Sequence, residues 1–138
     1  MPFRTLPAIF SALIFTSVAT RAEDEPKIDC GAALSTFEMN ACAEKDFAAA
    51  DAALNDIYKI ALAAVPEMAG DAPYDAKSWE AALRASQRAW VAFRDAECHG
   101  HVPMFWTGGT GATADILGCQ TSMTNERIKA LKERYADR

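Results

Sequence analysis

The sequence predicts an all-α fold, with three principal helices packed antiparallel and braced by two disulfides. Three observations predict it. Apolar residues recur at steps of three and four along three long segments, no stretch alternates apolar and polar residues as a strand would, and the cysteines number four.

Residues 1–22 read as a secretory signal peptide. Arg4 gives a basic start, residues 8–15 form a short apolar run, and Thr20 and Ala22 supply the small positions before a cut. The run is too short to span a bilayer, which takes roughly 20 apolar residues. Residues 23–34 form a mobile leader, acidic and with Pro26, that continues into the first cysteine segment. Residues 35–138 form the helical domain.

Its first helix is an alanine-rich segment from about 35 to 65 that carries Phe47, Leu54, Tyr58, Ala61, Leu62 and Val65 on one face. Ser35 or Thr36 caps its start, with Glu38 or Met39 in the first turn, and Pro66 stops it. Two prolines and Gly70 make residues 66–74 a turn. A second helix starts at Asp75 and runs to about Cys98. Its stripe holds Trp79, Leu83, Ser86, Trp90, Phe93 and Glu97 or Cys98, and Trp79, Trp90 and Phe93 are expected in the core. Pro103 and Gly108, Gly109 and Gly111 make residues 99–113 an irregular loop. The third helix, about 114–135, carries Leu117, Thr124, Ile128, Leu131 and Tyr135, with Ile116, Cys119 and Met123 beside them.

All four cysteines follow the expected cut, and four cysteines allow three connectivities. Cys30–Cys42 and Cys98–Cys119 are favoured, because each closes a short loop beside a helix end and stabilises by roughly 3 kcal/mol. The C-x-x-C knuckles of a zinc site are missing. Lys27-Ile28-Asp29 before Cys30 lacks the small and apolar residues that precede a lipidated cysteine, so no stable membrane anchor is expected. The chain is therefore expected to be periplasmic or secreted. Its 14 basic and 19 acidic residues give a net charge of −5, which becomes −7 once Arg4 and Arg21 leave with the signal. That balance argues against a nucleic-acid partner and points to a basic protein partner.

One set of residues carries a family likeness. Cys30, Met39-Asn40-x-Cys42, Ala50-Asp51-x-x-Leu54-Asn55-x-x-Tyr58, Gln87-x-Ala89-Trp90-x-x-Phe93-Arg94-Asp95-Ala96-x-Cys98, and then Gly111, Cys119, Thr124 and Arg127 together resemble the LprI-type lysozyme inhibitor family. The resemblance spans nearly the whole mature chain. It implies a small, exported, helical, cysteine-bearing domain that binds lysozyme and blocks its peptidoglycan-cleaving cleft, without catalysis of its own. The lipidated start of lipoprotein members is lacking.

Asp51 and Asn55 are four apart and share a helical face with Leu54 and Tyr58 close by, so their polar groups need partners, which Arg94 or Arg127 can supply. Asp51, Asn55, Arg94, Asp95 and Arg127 are then expected to fix helix register. For partner contact the conspicuous segment is residues 99–113, clamped if Cys98 and Cys119 pair. Phe105 and Trp106 are its candidate anchors, and Thr107 and Thr110 its candidate donors to the two cleft carboxylates of a lysozyme. The alternative is that Phe105 and Trp106 fold back over the helix ends, leaving acidic helical faces with Glu38, Glu44, Asp46 and Asp56 as the contact.

Other classes have weaker support. His99, His101 and Met104 lie close in sequence and would suit copper. No G-x-S-x-G, H-E-x-x-H or phosphate loop supports an enzyme, and no cofactor is expected. An exported helical interaction module with a different envelope partner retains every feature and changes only the ligand.

Overall fold

The computed structural model describes residues 28–136, so the signal-peptide reading of residues 1–22 and the leader up to residue 27 lie outside the described residues. Helices α1 (Thr36–Met68), α2 (Ala76–Asp95) and α4 (Ala112–Tyr135) are long. A π-helical turn (Ala96–His101) and a one-turn helix α3 (Val102–Trp106) link α2 to α4. Among the described residues there is no strand, and no helix is long and apolar enough to cross a membrane.

Helix α1 starts where its sequence supplies a complete cap. The Ser35 hydroxyl accepts from the Glu38 backbone N–H at 3.2 Å, and the Glu38 carboxylate accepts from the N–H groups of Ser35 and Leu34. These bonds, led by the one from the Ser35 backbone, hold the Glu38 carboxyl below the usual carboxylate range. The cap's contribution is therefore complete above the pKa of an unfolded glutamate, ~4.3, and is lost as pH falls through the lower folded value. Ser35→Ala should cost about 1 kcal/mol at neutral pH. Glu38→Ala should be less stable than the parent at neutral pH, with a gap that closes on acidification. Urea unfolding at several pH values measures both.

Two boundaries differ from expectation. Helix α1 continues through Pro66 to Met68, because a proline in the last turn removes one hydrogen bond and the helix ends within two residues, where the Ala69 N–H reaches the Val65 carbonyl at 3.0 Å. The expected loop 99–113 is largely helical. Pro103 lies in the first turn of α3, where its missing N–H costs nothing, and only residues 107–111 are irregular.

Cross-links fix the topology. Trp79 bonds Tyr135, Arg127 bonds Gln87, and Arg94 bonds Thr124, so α2 and α4 run antiparallel. Arg94 also meets Asp51, and α1 and α4 pack side by side along their length in the same direction, with α2 as the crossover. Leu54, Ile57, Ala61 and Val65 of α1, Leu83 of α2 and Leu131 of α4 form the core. Tyr58, Leu62, Trp79, Trp90, Ile128 and Tyr135 flank it. The α1 stripe thus includes Ile57, with Phe47 half-buried at its side.

Phe93 is a correction, since it is 59 % exposed rather than in the core. The buried face of α2 passes through Leu83, Trp90, Arg94 and Cys98, and Phe93 lies about 100° away from Arg94 around the helix. The core position went to the arginine. Ser86, also expected on that stripe, is exposed for the same geometric reason.

Both disulfides form as expected, Cys30–Cys42 and Cys98–Cys119, each with Cα atoms 5.6 Å apart. They brace the end of the bundle away from the leucine and isoleucine core, where Cys42 and Cys98 themselves are buried.

Candidate functional site

The polar residues of the motif converge on two arginines. Arg94, 7 % exposed, donates from Nε to Asp95 at 2.9 Å and from Nη1 to the Thr124 hydroxyl at 3.3 Å, and its Nη1 lies 3.6 Å from the Asp51 carboxylate. Its guanidinium also lies over the rings of Phe47 and Trp90, 5.3 Å from each centroid. Asn55 donates to Asp51 at 3.2 Å, which orients that carboxylate. Arg127 donates to Gln87 at 3.0 Å and Ser86 at 3.1 Å and covers Trp90 at 5.8 Å, so one indole serves two cations. These contacts join α1, α2 and α4, and they account for Asp51, Asn55, Gln87, Trp90, Arg94, Asp95, Thr124 and Arg127 by interactions inside the chain. Tyr58 is half-buried against the core. Asn40 is half-buried, and its Oδ1 has no hydrogen-bond partner.

Apolar surface faces outward in the segment between Cys98 and Cys119, as it also does at Leu34 and Phe37 around the start of α1. Helix α3 is too short to bury a face, and Met104 and Phe105 are 71 % and 74 % exposed. Trp106 is 38 % exposed and fixed. Its Nε1 donates to the Asp115 carboxylate at 2.8 Å, and its ring lies over Gly111 so closely that a Cβ there would overlap it. Only glycine admits this packing. Thr107 ends α3 at φ 45°, a left-handed conformation that a β-branched residue adopts only under strain, and Gly108 follows at φ 87°. Thr107 and Thr110 are both exposed.

The two candidate anchors therefore separate. Phe105 projects, its ring centroid 5.1 Å from that of His101 in an edge-to-face arrangement, whereas Trp106 folds back onto the start of α4 and stiffens the turn beneath Phe105. Sequence reading missed Asp115, nine residues after Trp106, since nothing in the spacing links an exposed carboxylate to an indole across a turn. It also passed over Met104 as apolar surface. His101 contacts Glu97 at 3.1 Å, and among the described residues no three His, Cys, Asp or Glu side chains come together as a metal site would need.

Comparison with known proteins agrees with this architecture. The family model described as lysozyme inhibitor LprI matches residues 29–131. An uncharacterized protein of Rhizobium meliloti (strain 1021) is 34% identical over 130 residues, covering 92% of this chain and 91% of its own. No solved structure matches.

Proposed function

Since the chain belongs to the LprI lysozyme inhibitor family, we propose that it is an exported inhibitor that seats the ridge Met104–Phe105, stiffened by Trp106, in the cleft of a lysozyme. The observation that carries this reading is an apolar ridge turned to solvent on a segment framed by Cys98–Cys119. A framed ridge loses less conformational freedom on binding than a free loop does. The cleft of a lysozyme holds two carboxylates, one of them protonated as the general acid. Thr107 and Thr110 beside the ridge offer donors for them. The acidic balance of the chain steers a basic partner toward it. Export rests on the signal-peptide reading of residues 1–22 and on two disulfides, which persist in oxidising compartments.

Phe105→Ala removes a ring that is 74 % exposed and packs at the edge of His101. It should raise the half-inhibitory concentration about tenfold or more while leaving thermal stability unchanged. Trp106→Ala should weaken inhibition similarly by loosening the turn. If lysis assays show both variants inhibiting as well as the parent, the contact lies instead on the acidic faces of α1 with Glu38, Glu44, Asp46 and Asp56. One observation favours a second reading, an exported module with a different envelope partner. Asp51, Asn55, Gln87, Trp90, Arg94, Asp95, Thr124 and Arg127 of the motif are engaged inside the chain, so family membership constrains the scaffold more tightly than it constrains the ligand.

A further inference from the structure

Two clefts share the wall formed by Trp79 and Ala82 at the end of the bundle far from Cys98–Cys119, one against the turn before α2 and the other between α2 and α4. One, of about 360 Å³, is lined by Pro73, Tyr74, Ser78, Trp79 and Ala82. The other, of about 170 Å³, also touches Trp79 and Ala82 and reaches Ser86, Arg127, Arg134 and Tyr135. Trp79 is fixed by its Nε1 donating to the Tyr135 hydroxyl at 3.3 Å, which gives the shared wall a rigid apolar face. The larger volume falls within the roughly 300–1,000 Å³ usual for small-molecule sites.

What sets this place apart is burial, since Lys45, Lys77, Arg88, Lys129 and Lys132 also lie outside the ion pairs but are exposed, whereas Arg127 is half-buried. Arg94 is met by two carboxylates, Asp51 and Asp95, and Arg84 by Glu80. Arg127 is half-buried and bonds only the neutral oxygens of Gln87 and Ser86. Among the described residues no carboxylate comes within ion-pairing distance of Arg127 or Arg134. Burial first, and then the neighbouring charge of Arg134, hold the Arg127 pKa below its ordinary value. Among the described residues these two neighbouring cations have no counter-ion, and Arg134, with the donors that Arg127 does not commit to Gln87 and Ser86, can meet an anion from outside.

We propose that this cleft binds an amphiphilic anion, with a carboxylate or phosphate head on Arg127 and Arg134 and an apolar tail laid over Trp79 and Ala82 toward Pro73 and Tyr74. Charge complementarity selects the head, and the apolar wall selects the tail. The site lies away from the α3 ridge and is independent of the lysozyme reading.

Isothermal titration of the oxidised mature chain, without lysozyme, tests this with submicellar dodecanoate, dodecyl phosphate, dodecyl maltoside and inorganic phosphate. At least one alkyl anion should bind, and comparing the two identifies the preferred head. Dodecyl maltoside and inorganic phosphate should each bind at least about tenfold more weakly, since each lacks one half of the recognition. Arg134→Gln removes an exposed donor and Ala82→Phe fills the shared wall from an exposed position. Each should weaken binding about tenfold or more with unchanged circular dichroism. The proposal is overturned if neither alkyl anion binds, if the maltoside or inorganic phosphate binds as tightly as they do, or if both variants bind like the parent.

Discussion

Replacing Arg94 with alanine should lower the stability of the folded domain by about 3 kcal/mol, within the range for removing one partner of a buried ion pair. The position concentrates several roles. The guanidinium joins α2 to Asp51 of α1 and Thr124 of α4, and it packs on Phe47 and Trp90. Alanine would leave a cavity between three helices and two carboxylates without their cation. Asp51 and Asp95 are nearly half exposed and can rehydrate, which keeps the loss below the upper end of that range. For a domain of this size the thermal midpoint should fall by roughly 10–20 °C. Arg94→Lys should recover only part of it, because an ammonium cannot reproduce the planar fork or stack as a guanidinium does. Thermal unfolding of the two variants, followed by circular dichroism, provides the measurement. A midpoint for Arg94→Ala within a few degrees of the parent would mean that the network contributes little.

The second large effect is expected from the Cys98–Cys119 bridge, whose cysteines are 21 residues apart. Replacing both with serine should cost about 3 kcal/mol through the restored freedom of the unfolded chain. The serine at position 98 would also bring a hydroxyl into a site that is now fully buried, beside the Met123 sulfur at 3.6 Å. This variant should lose stability and inhibition together, since the same bridge frames α3. Its control is the double replacement of Cys30 and Cys42. That bridge spans 12 residues at the start of α1, so its loss should reduce stability by a comparable amount while leaving the ridge framed. Urea unfolding and lysis assays on both double variants separate the two roles. Equal loss of inhibition in both would show that the Cys98–Cys119 bridge acts on the site only through global stability.

Much of the fold was legible because helical periodicity is local. Leu54, Ala61, Val65, Leu83 and Leu131 lie at core positions that their spacing implies, Ser35 caps α1, Asp75 caps α2, and each cysteine pair closes a short loop. What was not legible depends on contacts between elements. Phe93 was assigned to the core on its stripe position, yet the inward position belongs to Arg94, whose burial depends on acceptors from two other helices. The glycines after Thr107 suggested a long loop, yet they occupy a single turn, and one of them provides the surface on which Trp106 lies. The fate of Trp106 required Asp115 and Gly111 to be known as neighbours in space. Arg127 and Arg134 could be placed on one helix from sequence, but not at a common cleft with Trp79 from another.

The most direct measurement is the rate at which a basic animal-type lysozyme clears a peptidoglycan suspension, with the oxidised chain lacking residues 1–22 added in stoichiometric amounts at low and high salt. Dose-dependent inhibition that weakens with salt is the predicted result, since an acidic surface steers the encounter and salt screens it. A folded chain that leaves the clearing rate unchanged at either salt would contradict the inhibitor reading and assign the ridge of α3 to a different partner.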